Sequence, residues 1–132
     1  MRRPRNTRIR TARRAHKRKL TKAAAGTLAW VPWEARADAT GIVRESREAG
    51  YFTVVELCAG SVPPAGLKSD APLCLVLGAE QQGISKAVLA LADQFIEVPT
   101  DGVGGSINLT TAAAIVVYEA ARRFPLAKAA EA

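Results

Sequence analysis

Two loops near the end of the chain carry the side chains best suited to chemistry. In each, over residues 75–85 and 98–109, an apolar run typical of a buried strand is followed by glycines and polar residues. Glu80 offers a carboxylate that can brace a pocket or a neighbouring loop, or can be a solvated loop residue. Asn108 offers an amide that can face a ligand or make a local capping bond. Two such loops at the carboxyl ends of neighbouring strands mark a place for a small ligand.

The glycines of the second loop, Gly-x-Gly-Gly-Ser over residues 102–106, would expose backbone amides at a helix N-terminus. Such amides can hold a phosphate or a carboxylate, although Ser106 is equally suited to an ordinary helix N-cap. The Lys-Ser/Thr pair of a P-loop is missing. The loop also opens the last helix, whereas a dinucleotide fingerprint opens the first.

The elements that must position these loops alternate along the chain. The pattern predicts helices over residues 12–25, 38–49, 85–92 and 106–123, and strands over residues 27–33, 51–58, 73–77 and 95–98. Asp38 and Ser85 are the expected N-caps, Gly50 closes the second helix, and residues 59–71 form a surface connection. This alternation predicts an α/β fold with a parallel sheet, flanking helices and right-handed crossovers. The apolar run 73–77 is expected to be buried on both faces.

The last predicted helix is apolar on nearly every side until Glu119. A helix of this kind must be covered on more than one side. One side is accounted for by its own sheet, so we expect a second copy of the chain to cover another, giving a homodimer.

Charge divides the chain into unequal parts. Residues 1–22 hold eleven of the nineteen Lys and Arg and no acid, whereas the remainder holds eight basic and twelve acidic residues, a net of −4. A basic arm of this kind favours RNA or DNA; a solubilising leader and an organellar transit peptide are alternatives. We expect residues 1–19 to be a disordered arm, residues 20–125 the folded domain and residues 126–132 a C-terminal tail.

Two cysteines, Cys58 and Cys74, fall inside predicted strands, as expected of small core residues in a reducing cytoplasm. With no Cys-x-x-Cys and a single histidine, we expect no metal site. No apolar run approaches the ~20 residues of a membrane span, so we expect a cytoplasmic protein with no membrane partner.

The order and spacing of the two loops match a known family. Residues 75–85, Leu-Val-Leu-Gly-Ala-Glu-Gln-Gln-Gly-Ile-Ser, resemble the second motif of the SPOUT RNA methyltransferases of the SpoU/TrmH branch, and residues 98–120 resemble its third. Upstream, Lys22-Ala-Ala-Ala-Gly-Thr and Val31-Pro32-Trp33 are similar to the family's Lys-x-Ser/Ala-x-Gly segment and the strand after it. The resemblance covers residues 16–123.

This resemblance implies a parallel sheet whose C-terminal part forms a trefoil knot, a homodimer, and S-adenosyl-L-methionine as cofactor. The implied activity is methyl transfer to a ribose 2′-hydroxyl of tRNA or rRNA. Glu80 and Asn108 match positions that organise the site and the acceptor ribose. The positions that match the cofactor pocket are Leu57, Gly78, Val98, Ser106 and Ile107.

The family's first motif, Asn-x-Gly-x-x-x-Arg-Thr-Ala, supplies its catalytic arginine, and here the match fails. Residues 6–12 lack the glycine and are two residues short, so Arg10 is either a catalytic equivalent or part of the arm. We expect the family's first strand, first helix and second strand to be missing. The alternatives are an inactive or truncated SPOUT domain that acts as an RNA-binding module, and an unrelated phosphate-binding α/β protein. The arm residues expected to bind RNA are Arg13, Arg14, Lys17, Arg18 and Lys19.

Overall fold

A computed structural model describes residues 9–11, 25, 30, 32–56, 61–79, 82–101 and 107–123, with the backbone alone for 9–11. Within these residues, strands and helices alternate along most of the chain. In order they are β1 (Ile9–Thr11), β2 (Trp33–Ala35), α1 (Ala39–Glu48), β3 (Phe52–Glu56), a 3-10 turn (Pro64–Gly66), β4 (Leu73–Val76), α2 (Lys86–Leu89), β5 (Gln94–Ile96) and α3 (Leu109–Arg123).

Three parallel strands in the order β4-β3-β5 form the sheet that follows α1 along the chain. The central strand pairs on both sides: Val54 lies opposite Leu75 of β4 and Gln94 of β5. Thr53, Val54 and Val55 are at most 1% exposed. β-branched side chains suit such a doubly covered strand. The predicted α/β class, with a parallel sheet and flanking helices, is confirmed; the trefoil knot stays a prediction.

Helices cover both faces of this sheet. On one face, α3 and the segment after the 3-10 turn contribute to the core, which contains Val54, Leu67, Ile96 and Val116. Successive side chains of a strand point to opposite faces, so Val55 faces the other way. Helix α1 contacts β3 and α2, and these two helices bury a separate set of residues, Ile42, Val43 and Val88.

An ion pair links α1 to Asp93, the residue just before β5. Arg47 lies 2.6 Å from the Asp93 carboxylate, whose other oxygen accepts a hydrogen bond of 2.8 Å from the backbone N–H of Thr53. Burial raises the pKa of Asp93, but the hydrogen bonds from Arg47 and from the Thr53 N–H outweigh it, and the net pKa is lowered. The pair therefore stabilises the folded state wherever Asp93 is ionised.

Two predicted elements differ in burial or bonding. The run 73–77 was expected to be buried on both faces, but β4 is the edge strand of the described sheet and all four of its residues are half-buried, Cys74 included. Asp38 occupies the N-cap of α1, as predicted, yet its side chain makes no capping bond. A Cβ on Gly41 would lie 2.5 Å from its Oδ2, so the carboxylate rests over the first turn instead. The predicted close of this helix at Gly50, with φ of 86°, is confirmed.

The first part of the chain differs most from expectation. A strand was predicted over residues 27–33, but Trp30 lies in a turn and β2 begins at Trp33. Pro32 has no N–H for a ladder bond, so pairing starts after it. A strand inside the basic segment was not expected, yet β1 pairs in parallel with β2, with Arg10 opposite Glu34. The bonds of a ladder are made by the backbone, so the charge of neighbouring side chains does not prevent them. Most of the predicted helix 12–25 lies outside the described residues.

Candidate functional site

The carboxyl edge of the sheet gathers the two loops, as the parallel arrangement requires. The first loop leaves β4 after Val76 and the second leaves β5 after Ile96. Both strands flank β3, so the two exits lie about 10 Å apart, twice the usual strand spacing.

The first loop folds tightly against itself. The N–H of Gly83 donates to the C=O of Ala79 at 2.8 Å, and Gly83 has φ of 62°, which favours glycine. A Cβ on Gly78 would stand 2.9 Å from Cγ1 of Ile84 and 3.1 Å from the carbonyl carbon of Gly83. Only glycine allows this approach. It places the backbone of Leu77 and Gly78 at the edge, with Leu77 38% exposed.

After this loop, Ser85 caps α2, as predicted: its Oγ accepts from the N–H of Val88 at 3.3 Å. The helix itself is shorter than the predicted 85–92 and covers Lys86–Leu89. The chain then passes through turns to β5, which starts at Gln94 where Phe95 was expected.

The second loop leads to the N-terminus of α3. Val98 is half-buried and packs against the core, and Ile107 is half-buried. Helix α3 begins at Leu109, not near Ser106 as predicted, because Asn108 is its cap. The Oδ1 of Asn108 accepts from the N–H of Thr110 at 2.9 Å, and its C=O accepts from the N–H of Ala112 at 2.9 Å. The capping bond uses the amide oxygen and leaves the two donors of the amide nitrogen for another partner.

Contacts at the C-terminal end of α3 show how this helix is oriented relative to the sheet. The guanidinium of Arg123 donates to the C=O of Leu67 at 2.5 Å and to the C=O of Ala65. The neighbouring Gly66 C=O accepts from the side chain of Gln94, the first residue of β5, at 2.9 Å. The C-terminus of α3 therefore lies at the amino edge of the sheet. Its 15 residues, about 22 Å long, place Asn108 at the carboxyl edge.

The Glu119 carboxylate supports the anchor of α3, which is the contact of Arg123 with the C=O groups of Leu67 and Ala65. Glu119 bonds Arg122 at 3.0 Å and Arg123 at 2.9 Å, and the bonds from Arg122 and Arg123 lower its pKa. A depression beside the anchor, lined by Leu67, Lys68, Ser69, Asp70 and Arg123, belongs to the amino edge and shares no residue with the candidate site.

Four of the predicted site residues are thus brought to one edge of the sheet: Gly78, Val98, Ile107 and Asn108. Arg10 lies in β1, which pairs only with β2 among the described strands. The other predicted site residues lie outside the part of the chain that the structure describes: Leu57, Glu80, Ser106, Arg13, Arg14, Lys17, Arg18 and Lys19.

Two further residues at this edge were not singled out from the sequence. Glu56 ends β3 and is half-buried, level with Ile96, and Leu77 presents an apolar side chain. The available signal for Glu56 was an acidic residue at the end of a mostly apolar strand. Among the described residues, no group of His, Cys, Asp and Glu could hold a metal ion. None of the described helices combines the length and apolar character needed to cross a bilayer.

The outer face of α3 remains apolar and exposed. Ile115 is 39% exposed, Val117 54% and Tyr118 70%, whereas Ala112 and Val116 face the core. The sequence predicted a helix apolar on nearly every side, and the side away from the sheet is uncovered in a single chain.

Comparison with known proteins places the same residues in a family. The sequence model of the SpoU rRNA methylase family matches residues 6–118, which takes in the segment 6–12 that holds Arg10. The tRNA (guanosine(18)-2′-O)-methyltransferase of Escherichia coli (strain K12) is 32% identical over 107 residues, covering 80% of this chain and 47% of that protein. The chain spans about half the length of the curated relatives it matches.

Two solved structures are similar in fold and sequence. An AdoMet-bound rRNA methyltransferase from Sinorhizobium meliloti aligns with a TM-score of 0.70 at 31% identity, over 77% of this chain and 39% of that one. The A. aeolicus TrmH/SpoU tRNA modifying enzyme aligns with a TM-score of 0.70 at 30% identity, over 78% of this chain and 53% of its own.

Proposed function

This chain belongs to the SpoU rRNA methylase family, and from that premise we propose that it binds S-adenosyl-L-methionine and methylates a ribose 2′-hydroxyl of tRNA or rRNA. The observation that carries the proposal is the family match over residues 6–118, because it spans both loops of the carboxyl edge. A relative of similar fold is AdoMet-bound, and the Escherichia coli relative is named as a 2′-O-methyltransferase.

The described residues at this edge fit such a cofactor. The close approach at Gly78 leaves space for backbone but not for a side chain. Apolar contacts for a flat heteroaromatic ring are available from exposed Leu77 and half-buried Val98 and Ile107. We assign cofactor binding, largely through backbone groups, to Leu57, Gly78, Val98, Ser106 and Ile107.

The bound cofactor supplies a methyl group on a sulfonium, which is a strong electrophile. The protein must therefore hold the acceptor hydroxyl in line with that carbon and assist loss of its proton. Held at this edge, the cofactor would give its methyl group to the ribose oxygen and become S-adenosylhomocysteine, and the hydroxyl proton would pass to solvent. We assign the amide nitrogen of Asn108 to a hydrogen bond with the acceptor ribose and Glu80 to organising the site. Arg10 is assigned as the cation that lies beside the hydroxyl.

The proposed substrate is RNA, held in part by the basic segment. Its charge, eleven Lys and Arg with no acid over residues 1–22, suits a phosphate backbone. We assign this role to Arg13, Arg14, Lys17, Arg18 and Lys19. Such contacts are independent of sequence, so they would raise affinity without choosing the nucleotide.

We also propose a homodimer formed through the exposed face of α3. Val117 and Tyr118 would be covered by the same face of a second copy, as a two-fold interface requires. Sedimentation of the wild-type chain should give a dimer, and Tyr118→Glu should give a monomer. A monomeric wild-type chain at tens of micromolar would refute this interface.

The activity is tested by incubating the purified chain with tritium-labelled S-adenosylmethionine and either tRNA or rRNA. Digestion to nucleosides should then release label in a 2′-O-methylated nucleoside. Label in a base-methylated nucleoside would refute the ribose assignment.

A second outcome is favoured by the departure in the first motif, where residues 6–12 lack the family glycine. A folded chain that binds RNA but transfers no methyl group would be an RNA-binding module. The methyl-transfer assay distinguishes the two, and calorimetric titration with S-adenosylmethionine then shows whether an inactive chain retains a cofactor site.

A further inference from the structure

Trp30 is the most exposed of the large apolar side chains that the structure describes. Its side chain is 84% exposed, in a turn three residues before β2, whereas Trp33 at the start of that strand is half-buried. Tryptophan is highly buried on average in folded proteins and is enriched where one molecule binds another. The indole of Trp30 is instead largely open to solvent.

The pairing of β1 with β2 brings Ile9–Thr11, the described part of the basic segment (residues 1–22), near Trp30. Ile9 lies opposite Trp33, at about 4.8 Å between neighbouring strands. Three residues separate Trp30 from Trp33, and a chain advances at most about 3.8 Å per residue. The Cα atoms of Trp30 and Ile9 are therefore no more than about 16 Å apart, a span of about five phosphates along one strand of a duplex.

From this juxtaposition we propose that Trp30 is a stacking platform for an unpaired base of the RNA whose phosphates contact the basic segment. The inference rests on the proposed RNA substrate and adds the feature that the protein recognises: a base free to leave its stack. Aromatic side chains stack on any base that is unstacked, as in loops and ends, but cannot reach the faces of bases inside a duplex. The basic segment and the indole of Trp30 together therefore favour binding of single-stranded or loop RNA over binding of a duplex.

A protein partner is a different occupant and is disfavoured by charge. The charged residues of the basic segment, residues 1–22, are all Lys or Arg, and charge of one sign attracts a polyanion. A second copy of this chain would bring the same basic segment to the interface, and like charges would repel.

The chain has two tryptophans, so a single-tryptophan variant isolates the signal. In Trp33→Phe, fluorescence comes from Trp30 alone, and single-stranded oligoadenylate of about 12 nucleotides should quench it as bases stack. A duplex RNA of the same length should bind through phosphates and leave the fluorescence unchanged. In Trp30→Phe, the emission of Trp33 should respond to neither.

Affinity gives the second readout. Trp30→Ala should weaken oligoadenylate binding by roughly 5- to 150-fold, the equivalent of about 1–3 kcal/mol for one stacked base. Trp30→Phe should recover most of the loss because a benzene ring also stacks. Duplex affinity should be the same for wild type and Trp30→Ala.

The outcomes separate this proposal from the proposed function. Oligoadenylate binding without quenching, or with unchanged affinity in Trp30→Ala, overturns the stacking role while leaving RNA as the substrate. Equal quenching by duplex overturns the preference for unpaired bases. Protection of Trp30 from iodide that grows with protein concentration, without RNA, overturns it in favour of a second copy. Failure of the wild-type chain to bind any RNA overturns both proposals.

Discussion

Asn108 is predicted to have two functions that different substitutions can separate. Its Oδ1 caps α3 through the N–H of Thr110 at 2.9 Å, and its amide nitrogen is assigned to the acceptor ribose. Asn108→Ala removes both. Loss of an N-cap costs about 1 kcal/mol (range ~0.5–2), so the melting temperature should fall by roughly 3–6 °C for a domain of this size.

Asn108→Asp removes only the donors. A carboxylate accepts the same capping bond and its charge suits a helix N-terminus, worth about 0.3–1 kcal/mol, so the melting temperature should equal or exceed that of wild type. It cannot donate to the ribose, however. Removing one positioned donor at a reacting oxygen lowers the rate by roughly 10²–10³, and we expect a loss of that size in methyl transfer with S-adenosylmethionine still bound.

The assay combines thermal unfolding by circular dichroism, calorimetric titration with S-adenosylmethionine, and single-turnover methyl transfer. Thr110→Ala is the matched control, because it keeps the backbone N–H that reaches Asn108 and should change neither stability nor rate. Asn108→Asp with a wild-type rate would refute the role of the amide nitrogen. An unchanged melting temperature in Asn108→Ala would refute the cap.

Three other predictions concern the sheet, the first loop and the arm. Asp93→Asn should lower the free energy of unfolding by about 1 kcal/mol at pH 7, because it removes the charge paired with Arg47. Folding lowers the pKa of Asp93. The difference in free energy between wild type and variant should therefore vanish as the pH falls below about 4 and through the folded pKa. Gly78→Ala should weaken S-adenosylmethionine binding roughly tenfold or more, because its Cβ would meet Ile84 at 2.9 Å and force the loop to shift. Replacement of Arg13, Arg14, Lys17, Arg18 and Lys19 by Gln, which keeps β1, should weaken RNA binding and flatten its salt dependence while cofactor affinity persists.

Each of these three predictions has a control and a result that would refute it. Exposed Asp70→Asn should be neutral in urea unfolding at both pH values; a pH-independent loss in Asp93→Asn would show that shape rather than charge matters. Gly41→Ala, whose Cβ meets only the Asp38 carboxylate, should bind the cofactor normally; unchanged affinity in Gly78→Ala would remove Gly78 from the site. An unchanged RNA affinity after the replacement of the five arm residues would reduce the arm to a leader, and filter binding over a salt series would measure this.

The chain from α1 onward could be predicted closely because its signals are local. Gly50 ends α1, Ser85 caps α2, and the β-branched run around Val54 forms the central strand. Short-range sterics and capping bonds act over three or four residues, and these are visible in the amino-acid order. Errors in this part of the chain were mainly shifts of a few residues at the ends of elements, such as the start of α3 at Leu109.

Relations between distant segments were not visible in the same way. The sequence indicated neither that β1 would pair with β2 nor that β4 would lie at the edge of its sheet. Ladder bonds join backbone groups that every residue has, so their partners are selected by how the whole chain packs.

The site shows the same division. The sequence alone determined the family, since the types and spacing around Gly78 and Asn108 were sufficient for the resemblance that the family match confirms, and the roles of these residues stay predictions. Tertiary structure alone decided that Asn108 caps α3, that Arg123 anchors the C-terminal end of this helix, and that the side chain of Trp30 is exposed. Exposure and contact depend on which surfaces meet, and this is settled only when the chain has packed.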